Sequence, residues 1–397
     1  MKTPEIIGKN IQKQMDEHSI TALELAKLIG ITRQTLANYL TGESVIDSEK
    51  LSILSKYFNK PFDYFFQEVE TKLSFMFRAT NPKENMDTKS LLKIQSYIEK
   101  YFKLSRTINE SIIYVPEQYN LTIKYNSKTV SIEDPALKFS ELNYKLPADL
   151  ENTLEVIAYE QRRKLGAEES IGSEIVSSLE TAGIKILFKK IDNLNLFAMS
   201  AYNIDKGFFI LVNDHPSISE ERKLFSLVHE YAHLILHRDC YSSNHEYGDY
   251  GSKKNILEAT ADAFAGYFLM PRYMLKKYDA VLNKRPLSMS DLMYVKQELK
   301  VSLMALIMTA YRYKYINELI KKKAFDVLYK RGYGKKEPES TLQLLKNQKY
   351  EFMIRSLFLS DKLNENEVRE LLDDDNLIAD KKLKLWKPGV NNLDILE

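Results

Sequence analysis

His229-Glu230-Tyr231-Ala232-His233 is the stretch that decides how the middle of this chain folds. The apolar residues around it recur at helical spacing and predict a buried helix. Two histidines four positions apart lie on one face of a helix, where both can bind a single Zn²⁺ ion. Glu230 lies about 100° round the helix from His229 and can act as a general base beside the metal. The competing interpretation is a core helix that happens to carry two of the chain's six histidines.

A catalytic zinc site needs a third protein ligand, and Glu258 is the better candidate. It begins an alanine-rich segment that predicts a second helix, whose small side chains would allow a close approach to the first. Asp262, one turn further on, could accept the second ring N–H of a histidine ligand and so set its tautomer. The alternative for Glu258 is a solvated carboxylate at a helix start. His237, one turn past His233, is interpreted as a neighbour or packing residue.

Length and composition limit the class of protein. A chain of 397 residues is long enough for two to four domains, and its net charge of +2 gives no general preference for polyanions. Cys240 is the only cysteine, so no disulfide can form within the chain, which suits a reducing cytosol. No apolar run approaches membrane-spanning length, and no signal peptide is evident. We expect a soluble cytoplasmic protein without a membrane partner.

The first 68 residues carry the signals of a helix-turn-helix. A capping box at Thr21–Glu24 begins one helix, Gly30 allows a tight turn, and Thr32 caps a second helix over Arg33–Leu40. The segments ELAKLIGITRQTLANYLTG (24–42) and LSKYFNKPFDYF (54–65) resemble the Xre/Cro/cI-type helix-turn-helix family. This resemblance implies a double-stranded DNA partner.

In such a unit the second helix enters the major groove by its N-terminal end. That end presents Arg33, Gln34, Thr35 and Asn38, of which Arg suits guanine and Gln or Asn suits adenine. Residues 1–66 carry eight Lys or Arg and eight Asp or Glu side chains, so one copy should bind DNA modestly and a homodimer could compensate. The alternative is a module retained for protein contact.

The rest of the chain predicts a catalytic core between two regions whose sequence patterns indicate structure less clearly. Helices near 149–165 and 171–182 precede three strand-like runs, a turn around Lys206, and the two candidate metal helices, the first beginning with a capping box at Ser217–Glu220. We therefore predict a mostly helical α+β multidomain protein. Its parts are a helix-turn-helix bundle at 1–68, a partly helical connector at 69–145, a zincin-like core with a small antiparallel sheet at 146–280, and a helical C-terminal region at 281–397.

Two segments resemble the ImmA/IrrE family of zinc metallopeptidases, namely RKLFSLVHEYAHLILH (222–237) and EATADAFAGYFLMP (258–271). The resemblance covers roughly residues 146–315 and implies His229, His233 and Glu258 as zinc ligands, Glu230 as the base, and a DNA-binding repressor as a typical protein substrate. The long connector departs from the family pattern. The sequence thus favours a zinc metallo-endopeptidase that regulates gene expression. The alternative is a non-proteolytic DNA-binding regulator in which the zincin core senses a ligand or partner.

Overall fold

A computed structural model describes residues 3–18, 20–58, 60–66, 74–77, 88–108, 116–134, 136–203, 207–241, 255–333, 336–372 and 376–387. The chain forms two compact units, residues 1–72 and 73–397. Among the described residues, no helix is both long enough and apolar enough to cross a membrane. The turn predicted around Lys206 lies outside the described residues.

The N-terminal unit is a small helical bundle. Its helices are α1 (Thr3–His18), α2 (Ala22–Leu28), α3 (Arg33–Thr41) and α4 (Ser48–Tyr57), followed by a 3₁₀ turn at Phe62–Phe66. The predicted caps are confirmed, because the Thr21 side chain and Glu24 form a reciprocal capping box and the Thr32 side chain accepts a hydrogen bond from the Thr35 backbone N–H. Gly30 takes a φ of +70°, which lets α2 and α3 join through a tight turn.

The second unit is organised around a four-stranded sheet in the order β1–β5–β6–β4. Its strands are β1 (Ser74–Phe77), β4 (Lys185–Lys189), β5 (Ala198–Asn203) and β6 (Gly207–Asn213), while β2 (Thr122–Tyr125) and β3 (Lys128–Ser131) form a separate hairpin. Neighbouring strands are antiparallel except for β4 and β6, which are parallel. The parallel pair arises because residues 190–197 carry the chain past β6 before β5 begins.

Helices cover both faces of this sheet. The helices are α5 (Thr88–Thr107), α6 (Ala148–Lys164), α7 (Ser173–Thr181), α8 (Glu220–Leu236), α9 (Ile256–Leu269), α10 (Arg272–Lys276), α11 (Asp279–Leu282), α12 (Met289–Leu299), α13 (Leu303–Arg312), α14 (Glu318–Lys330), α15 (Gln348–Leu359), α16 (Glu365–Leu372) and α17 (Asn376–Trp386). Side chains alternate along β6, so Ile210 packs with the core that contains α8, whereas Leu211 packs with a second core. That second core contains Ile98 of α5 and Met353 of α15.

The predicted mostly helical α+β architecture, with its N-terminal helix-turn-helix region, is confirmed. One prediction about a helix start is wrong. The N-cap of α8 is Ser219, whose side chain accepts a hydrogen bond from the Arg222 backbone N–H, rather than Ser217. Ser217 lies in the preceding turn, where its own backbone N–H donates to the ring of His215. Glu220 is therefore the first residue of the helix, and it binds Lys223 and Lys346.

Candidate metal centre and nucleic-acid interface

Helix α8 carries its three polar motif residues into the protein interior. His229 and Glu230 are 0% exposed and His233 is 2% exposed. Burial of three polar groups is costly unless each has a partner, so their contacts indicate what the site is built to hold. Glu258 provides the opposing group from the first turn of α9, where the helix N-terminus favours a carboxylate.

Three side chains from these helices converge on one point. The Nε2 atoms of His229 and His233 lie 3.0 Å apart, and Glu258 oxygens lie 3.3 Å from His229 Nε2 and 3.2 Å from His233 Nε2. Ligand atoms at about 2.0–2.1 Å from a tetrahedral Zn²⁺ ion stand roughly 3.3 Å from one another. The donor set of two imidazoles and one carboxylate, and the spacing of its atoms, therefore fit zinc.

Glu258 has the charge that a metal ligand needs. Burial acts to raise the pKa of its carboxyl, but the neighbouring charges and hydrogen bonds of His229 and His233 outweigh burial and lower that pKa to about 2. The two histidines therefore favour the anionic form of this carboxylate.

The outer nitrogen of His229 also has a partner on α9. Asp262 Oδ1 lies 2.9 Å from His229 Nδ1. A carboxylate at this position accepts the Nδ1–H, so the lone pair that a neutral His229 ring offers to a metal is on Nε2, beside Glu258 and His233. The Asp262 side chain is 37% exposed, which makes it the most solvent-accessible of the acidic groups here.

Glu230 is held by a residue that the sequence analysis missed. Ser200 Oγ donates to Glu230 Oε2 at 2.5 Å, and no described group forms a hydrogen bond with Glu230 Oε1. Burial raises the pKa of the Glu230 carboxyl, and the two histidines oppose that rise. Ser200 reaches Glu230 because it shares a face of β5 with Ala198, which packs in the core that contains α8. The sequence signal that could have identified Ser200 is a small polar residue on the inward face of an apolar strand.

His237 contacts the centre without joining its three convergent ligands, and Cys240 is not among them either. His237 Nδ1 is 2.8 Å from His233 Nδ1, on the side of that ring away from Glu258. Burial lowers the pKa of His237 well below its ordinary value, so the ring is neutral. Cys240 is half-buried in a 3₁₀ turn at Arg238–Tyr241.

The candidate DNA-reading residues lie on the first turns of α3. Arg33 and Gln34 are exposed, whereas Thr35 and Asn38 are half-buried. Gln34 Nε2 donates to Asn38 Oδ1 at 3.1 Å, and the Thr35 hydroxyl lies 2.8 Å from that of Thr32. Two of the four side chains therefore contact each other in the free protein, and Arg33 and Gln34 are the more accessible pair.

Comparison with known families divides the chain in the same way. Residues 179–311 match the model of the IrrE N-terminal-like domain, the Peptidase_M78 family, and residues 11–65 match a helix-turn-helix model. The chain carries an IrrE N-terminal-like domain and a helix-turn-helix domain. Both resemblances inferred from the sequence are thereby confirmed. The first domain suggests a metallopeptidase-like protein, and the second supports DNA binding.

Individual proteins resemble this chain more weakly. It is 39% identical over 54 residues to the antitoxin PezA of Streptococcus pneumoniae serotype 4, a match that covers 14% of this chain and 34%, about a third, of that protein. The apo form of the competence regulator ComR from Streptococcus vestibularis is 14% identical, with 91% of this chain and 100% of that chain covered and a TM-score of 0.16. Apo ComR from S. thermophilus is 14% identical, with 94% and 100% covered and a TM-score of 0.15.

Proposed function

We propose that the protein is a zinc-dependent metallo-endopeptidase that binds double-stranded DNA and cleaves a transcriptional repressor or another partner protein. The observation that supports the peptidase most strongly is the convergence of His229, His233 and Glu258 at zinc-like spacing, with Glu230 buried beside them. A site that only bound metal would not need Glu230, because its carboxylate is not one of the three converging groups.

The side chains divide the work of peptide hydrolysis. His229, His233 and Glu258 would hold zinc, which supplies Lewis acidity for the scissile carbonyl and for water. Glu230 would take the proton of the attacking water at Oε1, the oxygen that Ser200 does not occupy, and pass it to the leaving amine. The raised pKa of Glu230 helps this carboxylate to hold a proton between the two transfers.

The DNA-binding half of the proposal assigns base contacts to α3. Arg33 and Gln34 are exposed at its first turn and would reach base edges in the major groove, with Thr35 and Asn38 behind them. A peptidase joined to such a unit could act where its substrate repressor is bound, which would couple cleavage to gene expression.

Metal analysis tests the centre. The purified protein should contain about one zinc per chain, and His229→Ala or His233→Ala should lose most of it. His18→Ala is a matched control, since His18 is exposed on α1 in the other unit. Full zinc retention in both motif variants would contradict the assignment of these ligands.

Glu230→Gln tests catalysis separately from metal binding. The variant should keep zinc and lose peptide cleavage by ~10²–10⁴-fold, because an amide cannot accept the proton of water. Cleavage is measured by mass spectrometry of fragments after incubation with the transcriptional regulators encoded beside the gene. If the zinc-loaded parent cuts none of them while still binding DNA, the non-proteolytic regulator is the better description.

A further inference from the structure

A chain of buried hydrogen bonds continues outward from His233. His233 Nδ1 lies 2.8 Å from His237 Nδ1, and His237 Nε2 lies 3.1 Å from Thr260 Oγ1. The Thr260 hydroxyl donates to the backbone carbonyl of Leu257 at 2.8 Å. His237 and Thr260 are both 0% exposed, so water cannot substitute for these contacts.

The donor and acceptor roles in this series of hydrogen bonds follow from its last member, Thr260. The hydroxyl proton of Thr260 is committed to the Leu257 carbonyl, so Thr260 Oγ1 can only accept a hydrogen bond from His237 Nε2–H. A second proton on His237 would place a charge in a fully buried site that has no carboxylate in contact with the ring among the described hydrogen bonds and ion pairs. His237 Nδ1 is therefore an acceptor.

The acceptor role of His237 Nδ1 determines where the candidate zinc ligand His233 carries its proton. Because His237 Nδ1 accepts, His233 Nδ1 must carry the proton and donate it. The lone pair that a neutral His233 ring offers to a metal then lies on Nε2, the atom that faces Glu258 and His229. His237 acts on His233 as Asp262 acts on His229.

We propose that His237 is a positioning residue of the metal centre, which holds His233 in the tautomer and ring orientation that direct its Nε2 lone pair at the metal. Thr260 in turn orients His237. Helix α9 thus supplies Glu258 as a ligand and, through Thr260 and Asp262, controls both histidines. This inference rests on the metal-binding part of the proposed function and is independent of the protein that is cleaved.

A pair of isosteric variants separates the hydrogen bond from packing. His237→Asn retains an acceptor oxygen close to the position of Nδ1, whereas His237→Leu has nearly the same shape and no acceptor. Zinc affinity is measured on the full chain by competition with a chromophoric chelator. His237→Leu should weaken zinc binding by roughly 10–100-fold, and His237→Asn should restore most of that loss.

Thr260 provides a second matched pair. Thr260→Val removes the hydroxyl at constant shape and should weaken zinc binding, because His237 can then turn its proton towards His233. Thr260→Ser keeps the hydroxyl and should bind zinc like the parent. Thermal unfolding of the metal-free variants controls for loss of fold. Equal zinc affinities for the parent, His237→Leu and Thr260→Val, or equal losses within each isosteric pair, would overturn the proposal.

Imidazole ¹⁵N NMR reads the tautomer directly in the metal-free protein. The chain has six histidines, so selective ¹⁵N-histidine labelling gives a sparse spectrum. His233 Nδ1 should carry a proton in the parent, whether or not Nε2 also carries one towards Glu258, and should lose it in part in His237→Leu. A parent His233 protonated at Nε2 alone would refute the proposed role of His237. A parent that binds no zinc yet shows a protonated His233 Nδ1 would instead contradict the proposed function and still support the hydrogen bonds from Thr260 through His237 to His233.

Discussion

Burial affects individual carboxyl groups of this protein differently, because their neighbours differ. Glu258 is nearly enclosed, yet two histidines hold its pKa at about 2. Glu230 has only a serine hydroxyl as hydrogen-bond donor among the described contacts, and burial raises its pKa. Glu180, at the end of α7, is 8% exposed, and burial raises its pKa to about 7, with Lys349 opposing the shift. The type of residue did not determine which of these groups is charged.

Glu180 therefore makes the stability of the fold depend on pH. Its pKa is about 4.5 in the unfolded chain and about 7 in the folded one, so the folded state binds the proton more tightly. The stability from this difference is fully present below pH 4.5 and is lost as pH rises through 7. Glu180→Gln should remove this pH dependence. The free energy of unfolding of the variant minus that of the parent should be about 2–3 kcal/mol larger at pH 8 than at pH 4.

Chemical denaturation of the full chain between pH 4 and 8 measures the effect. Glu298→Gln is the control, since Glu298 is exposed on α12. Parallel stability curves for Glu180→Gln and the parent would show that Glu180 does not titrate differently in the two states.

At the scale of elements, the position of α9 matters most, because it carries Glu258, Thr260 and Asp262. Arg162 of α6 is 0% exposed and donates to the Phe268 carbonyl at 2.7 Å in the last turn of α9. Gly266 allows α13 to approach closely, since a Cβ atom there would lie 2.6 Å from Thr309 Oγ1. The Arg162 guanidinium thus fixes the C-terminal end of α9, and the absence of a side chain at Gly266 lets α13 pack closely against its side.

Gly266→Ala should destabilise the fold although alanine is the better helix former. Helix propensity favours the change by about 1 kcal/mol, but the overlap with Thr309 should cost about 1–3 kcal/mol. Thr309→Ala removes the oxygen, which has no hydrogen-bond partner among the described residues. In that background Gly266→Ala should become neutral or stabilising. A double-mutant cycle from denaturation curves measures the coupling, and a coupling energy near zero would show that α9 and α13 move apart freely.

At the scale of the whole molecule, segments distant in sequence complete the unit that carries the candidate metal centre. Strand β1, which lies in the predicted connector, pairs with β5. Helices α5 and α15 cover the sheet face opposite α8. The connector and the C-terminal region, which the sequence left without an assigned role, are thus parts of the fold around the core. The candidate DNA-reading residues and the candidate metal ligands belong to different compact units.

Substitutions in the N-terminal unit should separate DNA reading from catalysis. Arg33→Ala and Gln34→Ala should each cost ~1–3 kcal/mol at a specific operator. Binding to random DNA should change less for Gln34→Ala, since glutamine neutralises no phosphate. Fluorescence anisotropy with specific and random duplexes measures both, and zinc content should stay at the parent value. Operator binding like that of the parent in both variants would exclude base reading by α3, whereas loss of cleavage as well would show that DNA occupancy is coupled to the active site.

The sequence by itself determined the features that depend on neighbours along the chain. Helical periodicity put His229 and His233 on one face, and side-chain caps marked the helix-turn-helix at Thr21 and Thr32. These signals are readable because helix geometry and capping involve residues only three or four positions apart. The motif segments also led to Glu258 as the third converging group.

Only the tertiary structure decided which groups serve those residues. Ser200 lies 30 positions from Glu230 along the chain, and Thr260 lies 23 from His237; strand and helix packing brings each pair into contact. The sequence placed His237 among packing residues, because its hydrogen bonds to His233 and Thr260 depend on how α9 lies against α8. The start of α8 was misplaced because Ser217 fits the capping-box pattern with Glu220, whereas the N-cap of the structure, Ser219, is followed by Arg222 three positions later. The salt bridge of Glu220 to Lys346 links this helix start to a segment more than a hundred residues away.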